Sequence, residues 1–232
     1  MQELYKSKNG ELILPYFLPY CIFVAIGLLP SGLLTQEWRY FIQITLTTIA
    51  LFWYWKRFVP LKGPKSPSGS IYVGIPAGIL GAIIWALLLM PFVDPAGKPY
   101  SNCAFALRMV SAGLLVPIFE ELVTRGFILR AAVQWDNLRK KGVDDPLGEV
   151  LNACSIADVK PGQITTLAIV ISTVGFAAGH TTTEWLAAVA YSLLMVSLWV
   201  IRKDLLSCII AHGTTNIALG IFAKATGLWG LW

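Results

Sequence analysis

Seven apolar segments constrain the fold of this chain more than any other feature. A helix that crosses a bilayer needs about 20 mostly apolar residues, because the hydrocarbon core offers its backbone no hydrogen-bond partners. Such segments lie at about 12–34, 38–55, 71–93, 104–133, 163–180, 184–201 and 205–223. The sequence therefore predicts an all-α, polytopic membrane helix bundle of about seven to eight transmembrane helices. A single integral-membrane domain, residues 1–232, would contain them all.

The composition excludes several classes of protein. Of the 232 residues 56% are hydrophobic and only 13% are charged, whereas a soluble domain carries about 25% charged residues. This balance argues against a soluble enzyme and against a disordered chain. The net charge of +5 does not predict a nucleic-acid partner, because the basic residues stand between the apolar segments. We expect the lipid bilayer itself to be the main surrounding of the chain.

The distribution of Lys and Arg predicts an orientation. With a cytoplasmic N-terminus, 13 of the 18 basic residues fall in cytoplasmic connections and 4 in connections on the other side. The linker 56–70 is one such connection, and Lys6 belongs to the same set. Because basic residues concentrate in cytoplasmic loops, we predict an N-terminus inside the cell.

The fourth apolar segment, which reads VPIFEELVTRGFILR, contains ionisable residues. A charge at the centre of a bilayer costs roughly 2.5–3.5 kcal/mol, so each one needs a partner or a function. Arg125 follows Glu121 by four residues, which predicts an ion pair on one helix face. Glu120 points about 100° away, and we expect it to face an interior cavity as a general base. Pro117 predicts a kink in this helix.

Both histidines of the chain lie in apolar surroundings. Phe176 precedes His180 by four residues, so its ring can pack on the imidazole. Asn216 follows His212 by one helical turn on the same face. Imidazole and carboxamide N–H groups aimed at one point in a low-dielectric cavity could stabilise a developing oxyanion.

Each of these features also has a structural explanation. A buried Glu–Arg pair can hold helices together, and a histidine inside a span is often a packing residue. Intramembrane Glu and His also form proton relays, so a proton- or ion-coupled transporter is one alternative. A non-enzymatic membrane partner, such as an immunity or scaffold protein, is another. The occurrence of all four groups on three segments favours a catalytic site.

Three short motifs carry a family resemblance. EELVTR at 120–125, FAAGH at 176–180 and HGTTN at 212–216 have the patterns EExxxR, FxxxH and HxxxN. They resemble the motifs of the CAAX protease and bacteriocin-processing (Abi) family of intramembrane proteases, over about residues 104–223. The chain also resembles a bacterial subgroup, related to CAAX prenyl proteases, that accompanies exosortase protein-sorting systems.

The resemblance implies a glutamic-type intramembrane endopeptidase in a prokaryotic cytoplasmic membrane. Glu120 would activate water with help from His180, and His212 with Asn216 would stabilise the oxyanion. Glu121, Arg125 and Phe176 would support the site. The substrate would be a membrane-associated or lipidated protein, and exosortase components would be candidate partners.

The resemblance leaves two possibilities for a metal. The expected mechanism uses no cofactor, since the chain lacks an HExxH motif, in which two histidines one turn apart hold zinc. The alternative is a zinc ion bound by Glu120, His180 and His212.

Overall fold

The protein is an all-α helix bundle in a computed structural model that describes residues 7–30, 32–94 and 97–232. Lys6 lies outside these ranges. Within them the chain forms no β-strand, which confirms the predicted fold class. The helices are α1 (Asn9–Gly27), α2 (Gln36–Tyr54), α3 (Pro67–Leu89), α4 (Asn102–Lys140), α5 (Pro146–Asn152), α6 (Thr166–Ala178), α7 (Trp185–Arg202) and α8 (Leu205–Thr226).

All seven predicted apolar segments are helical, but their lengths differ from the prediction. The first helix ends at Gly27 instead of residue 34, and α4 continues to Lys140 instead of residue 133. Five segments are long and apolar enough to cross a membrane, whereas α2 and α6 do not meet that standard. With 13 residues, α6 extends only about 20 Å, less than the roughly 30 Å of a bilayer core.

The distribution of side chains is that of a membrane protein. Large apolar side chains are exposed along the outer faces of the helices, for example Phe52, Trp53 and Leu87. Charged and polar side chains, including Glu121 and Arg125, are buried inside the bundle. This arrangement places the apolar faces towards lipid and the polar groups where they can bind one another.

Glycines allow α3 and α8 to pack closely. A β-carbon at Gly78 would overlap the carbonyl oxygen of Ala211, and one at Gly74 would meet the side chain of Ile210. The hydroxyl of Thr215 donates to the buried carbonyl of Gly78 at 2.7 Å. Because small residues let helix backbones approach in a membrane, this contact holds the HxxxN segment of α8 against α3.

Two π-helical turns, Ser111–Leu115 and Leu122–Ile128, interrupt α4. The first ends beside Pro117, which has no N–H to donate to the preceding turn. The sequence predicts a kink at this proline. The structure has a widened turn there, and the helix continues through it. Such turns often mark functional sites, and here the second turn contains residues 122–125 of the EExxxR motif.

Candidate active site

The three motifs meet in one interior cavity. This motif cavity has a volume of about 80 Å³. It is lined by Trp85, Val116, Glu120, Phe176, His180, Tyr191, His212, Thr215 and Asn216. All four predicted catalytic residues are in this set, as the protease hypothesis requires.

Glu121 and Arg125 form the predicted ion pair, with both side chains fully buried. Arg125 Nη1 lies 3.3 Å from Glu121 Oε1 and also donates to the hydroxyl of Thr124 at 2.9 Å. Its Nη2 donates to the backbone oxygen of Ser192 at 3.1 Å and to the Ser192 hydroxyl at 2.8 Å. The guanidinium carbon lies 5.0 Å from the centre of the Phe176 ring. Arg125 therefore fastens α4 to α6 and α7.

Glu121 also contacts His212, which the sequence analysis did not predict. The Nδ1–H of His212 donates to Glu121 Oε1 at 3.1 Å, and its Nε2 lies 3.8 Å from Glu120 Oε2. His212 thus stands between the two adjacent carboxylates. Glu121 holds the ring, and Glu120, whose side chain is 17% exposed, faces the cavity as predicted.

His180 lies just beyond the C-terminus of α6, which corrects the prediction that a spanning helix carries it. Its Nδ1–H donates to the carbonyl of Phe176 at 2.9 Å, so a neutral ring has an unprotonated Nε2. The Phe176 ring packs on the imidazole at a centroid distance of 4.7 Å, as predicted. The same ring lies 6.0 Å from that of His212, so Phe176 positions both histidines.

Asn216 is held by the first π-helical turn. There the N–H of Val116 donates to the carbonyl of Ser111 instead of that of Ala112. Pro117, the next residue, has no N–H. The Nδ2 of Asn216 supplies a donor, 2.8 Å from the Ala112 carbonyl oxygen. One N–H of the carboxamide is therefore used for positioning, and the other remains for the cavity.

Three further residues of the cavity wall escaped the sequence analysis. The Tyr191 hydroxyl donates to that of Thr215 at 3.2 Å. The rings of Tyr191 and Trp85 lie 5.6 Å and 5.3 Å from those of His212 and His180, respectively. Thr215 is one of the variable positions of the HxxxN motif, whereas Tyr191 and Trp85 lie outside all three motifs. Apolar helices are rich in aromatic residues, so the sequence offered no signal for these two.

Two larger cavities adjoin this site. A lateral cavity of about 200 Å³ includes Phe17, Tyr20, Glu120 and His180 and opens between α1, α4 and α6. An outer cavity of about 380 Å³ includes Arg39, Arg108, His180, Asn216 and Trp232. Candidate catalytic residues therefore line both of these cavities as well as the motif cavity.

Residues 102–218 match the family model described as Rce1-like, type II CAAX prenyl endopeptidase. The chain belongs to this Rce1-like family. The matched range contains all three motifs. Membership of this family, together with the apolar helices, identifies the chain as a CAAX-type intramembrane protease and an integral membrane protein. No curated protein and no solved structure matches the chain significantly. A single domain over residues 1–232 stays a prediction, since the match covers the second half.

The zinc alternative would require Glu120, His180 and His212 of this Rce1-like protein to meet at one ion. Among the described residues no three His, Cys, Asp or Glu side chains are grouped so as to hold a metal ion. The Nδ1 groups of both histidines are used in hydrogen bonds, and the Nε2 of His212 lies 3.8 Å from Glu120 Oε2.

Proposed function

We propose that the chain is a glutamate-dependent intramembrane endopeptidase that uses no metal. The observation that carries this proposal is the convergence of Glu120, His180, His212 and Asn216 on the motif cavity. A general base, a second acceptor and two potential N–H donors around one cavity of about 80 Å³ suit the hydrolysis of a peptide bond.

In the first step, Glu120 takes a proton from a water molecule while the water oxygen attacks the scissile carbonyl carbon. The unprotonated Nε2 of His180 accepts the other hydrogen of that water and orients it. Glu120 Oε2 is buried and has no hydrogen-bond donor among the described residues, so it is available for this proton.

In the second step, N–H donors stabilise the tetrahedral oxyanion. The second N–H of Asn216 is one donor. The Nε2 of His212 becomes another when the ring is doubly protonated, because its Nδ1–H is already given to Glu121. Glu120 and Glu121 flank this ring, and Glu120 Oε2 lies 3.8 Å from its Nε2.

Collapse of the oxyanion breaks the C–N bond. The proton held by Glu120 moves to the leaving nitrogen, which yields an amine and a carboxylic acid and returns Glu120 to its charged form; the new acid then loses its remaining proton to water. The positioning residues Glu121, Arg125 and Phe176 do not change covalently in this cycle.

We place the N-terminus in the cytoplasm of a prokaryotic cell. The basic residues Lys56, Lys140 and Lys203 stand at helix ends on the same side of the bundle as the start of α1. Gly27 and Glu184, which line the outer cavity, stand at helix ends on the opposite side. The positive-inside rule then places the outer cavity at the non-cytoplasmic face.

This orientation favours an exported substrate. A lipidated or membrane-associated protein could reach Glu120 from the bilayer through the lateral cavity. Its polar end would extend into the outer cavity. Processing of sorted or secreted proteins, with exosortase components as possible partners, fits this direction better than processing of a prenylated cytosolic protein.

The test is a comparison of protein termini in membranes from cells that carry wild type, Glu120→Gln or Glu11→Gln at matched expression. Glu11 is an exposed carboxylate in the first turn of α1 and serves as the control. We expect a defined set of proteins to remain uncleaved with Glu120→Gln only. Each sample is also treated with a chelator.

Identical termini in all three strains would refute the protease proposal in cells that express the substrate. Loss of the cleavage on chelation, with full recovery after zinc is added back, would refute the metal-free mechanism while leaving the protease activity established. Either conclusion requires that the Glu120→Gln protein is monodisperse in detergent. We expect it to be, because the glutamine side chain is nearly isosteric with glutamate.

A further inference from the structure

The turn between α6 and α7, residues 179–184, carries polar groups that the proposed chemistry does not use. It contains three consecutive threonines, Thr181–Thr183, and all three are exposed. Glu184 ends the turn, and its carboxylate accepts hydrogen bonds from the N–H and the hydroxyl of Thr181. Because polar groups are costly to transfer out of water, this turn needs a polar environment.

Neighbouring helices extend past this turn towards the outer-cavity end of the bundle. The His180 ring, near the start of the turn, lies 5.3 Å from that of Trp85. Helix α3 continues beyond Trp85 for four residues and a 3₁₀-helical turn of three, or about 6–12 Å. A β-carbon at Gly179 would lie 2.8 Å from the Tyr20 hydroxyl, and α1 continues for seven residues beyond Tyr20, or about 10 Å. The turn therefore lies about 6–12 Å below the ends of both helices.

The length of α6 leads to the same conclusion. Its 13 residues extend about 20 Å, roughly 10 Å less than the hydrocarbon core of a bilayer. The first turn of α6 stands near the basic end of the bundle, because the indole N–H of Trp199 donates to the carbonyl of Gln163 at 3.3 Å. Trp199 precedes Arg202, the last residue of α7, by three positions. Helix α6 therefore starts near one membrane surface and stops before the other.

Exposed apolar side chains reach different heights on different faces of the bundle. On α3 they continue past the level of the turn, through Leu87 to Phe92. On the face formed by α6 and α7, the large exposed apolar side chains nearest the turn are Val174 and Trp185, and the threonines lie between them. A lipid-exposed irregular turn does not occur within hydrocarbon. The hydrocarbon that covers Phe92 therefore cannot extend to the same height over Thr181–Thr183.

We infer that the leaflet at the outer-cavity end is thinner beside the α6–α7 turn than around the rest of the bundle, so that lipid headgroups and water contact Thr181–Thr183. A bilayer adapts to a short hydrophobic surface by thinning locally. The threonine hydroxyls and the backbone of the turn then bind water and headgroups. This inference goes beyond the proposed chemistry and does not depend on it, because it concerns the surface that the protein presents to lipid.

The position of the turn gives the thinned region a consequence for access to the site. His180 lines both the lateral and the outer cavity, Gly179 lines the lateral cavity and Glu184 the outer one. Water at the turn therefore stands at the edge of both cavities. A polar segment of a membrane-bound protein could reach Glu120 from this region without crossing the full depth of the leaflet.

The experiment measures the depth of nitroxide spin labels on the protein in phosphatidylcholine nanodiscs. One label is attached at Thr182→Cys. The matched control is Leu87→Cys, an exposed position on α3 two residues beyond Trp85. Oxygen concentrates in hydrocarbon and a neutral nickel chelate in water, so the two relaxation rates together give the depth of each label. The accessible native cysteines are replaced by alanine and the buried Cys208 is kept; the replaced residues are Cys21, Cys103 and Cys154.

We expect the label at position 182 to lie in the headgroup region. The label at position 87 should lie about 3–9 Å deeper, the length of the helix and 3₁₀-helical turn that follow Leu87. When the acyl chains are lengthened from 18 to 22 carbons, the label at 87 should move deeper and the label at 182 should keep its depth. Should Thr182→Cys not fold, Thr183→Cys provides a second position in the same exposed row.

Four outcomes would overturn the inference. Equal depths within the hydrocarbon would show a leaflet of uniform thickness around the bundle. Equal depths in the headgroup region would place the turn at an ordinary membrane surface. Low access of both oxygen and nickel to the label at 182 would show that protein, not lipid, covers the turn. A label at 182 that sinks together with the label at 87 in the 22-carbon lipid would show that the turn does not hold the leaflet thin.

Discussion

Replacing Arg125 with alanine should strongly destabilise the bundle. Both Arg125 and Glu121 have 0% side-chain exposure, so solvent does not screen their interaction. Truncation removes the donors to Glu121, Thr124 and Ser192 and leaves the buried Glu121 carboxylate with His212 as its one side-chain partner among the described residues.

The expected cost follows from this burial. Breaking one side of a buried, hydrogen-bonded pair costs about 3–5 kcal/mol, because a charge remains without compensation. At roughly 2–4 °C per kcal/mol for a chain of this size, the midpoint of thermal unfolding in detergent should fall by roughly 6–20 °C. Arg139→Ala is the control, since its side chain is 57% exposed in a pair with Asp136, and it should change stability by about 0–1 kcal/mol.

A second variant separates the charge from the other contacts of Arg125. Glu121→Gln/Arg125→Ala lacks the Glu121 carboxylate that Arg125→Ala leaves without its cation, so it should unfold at a higher temperature than Arg125→Ala alone, as a double-mutant cycle would show. An Arg125→Ala protein that unfolds at the wild-type temperature and accumulates to the same folded yield would refute the assignment of a stabilising buried pair.

Two further variants test positioning and packing. Asn216→Ala should cost about 1–3 kcal/mol of stability and about 10²–10³-fold in kcat. Adding Pro117→Ala to this variant should restore the unfolding temperature, because the new backbone N–H replaces the donor that Asn216 gives to the Ala112 carbonyl. It should not restore the cleavage of quenched peptides. Recovery of both would contradict a catalytic role for Asn216. Gly78→Ala should cost about 1–3 kcal/mol through overpacking against Ala211. An added β-carbon at Gly32 would meet nothing within 4 Å. Equal midpoints of thermal unfolding for Gly78→Ala and Gly32→Ala would contradict the close approach of α3 and α8.

Much of the candidate site could be predicted because ionisable groups are rare in apolar segments. The cost of placing Glu120, Glu121 or Arg125 in a membrane marks each of them, and the helical repeat separates the paired carboxylate from the one that faces the cavity. The spacing of Phe176 and His180 likewise predicts a contact that the structure contains.

Contacts between helices could not be predicted in the same way. The hydrogen bond from His212 to Glu121 joins residues 91 positions apart, and that from Asn216 to Ala112 joins residues 104 positions apart. Both depend on the register of α4 against α8, which π-helical turns and glycine contacts set. No local pattern in either segment contains that register.

The sequence by itself determined the membrane bundle, the family and the identity of the rare polar groups, because hydropathy and short-range helical spacing are properties of neighbouring residues. Only the tertiary structure decided that His212 stands between two carboxylates, that His180 follows a short helix and that Arg108 shares a cavity with Asn216. These facts depend on which helix faces pack together. That choice is made by the summed packing and hydrogen bonding of distant segments.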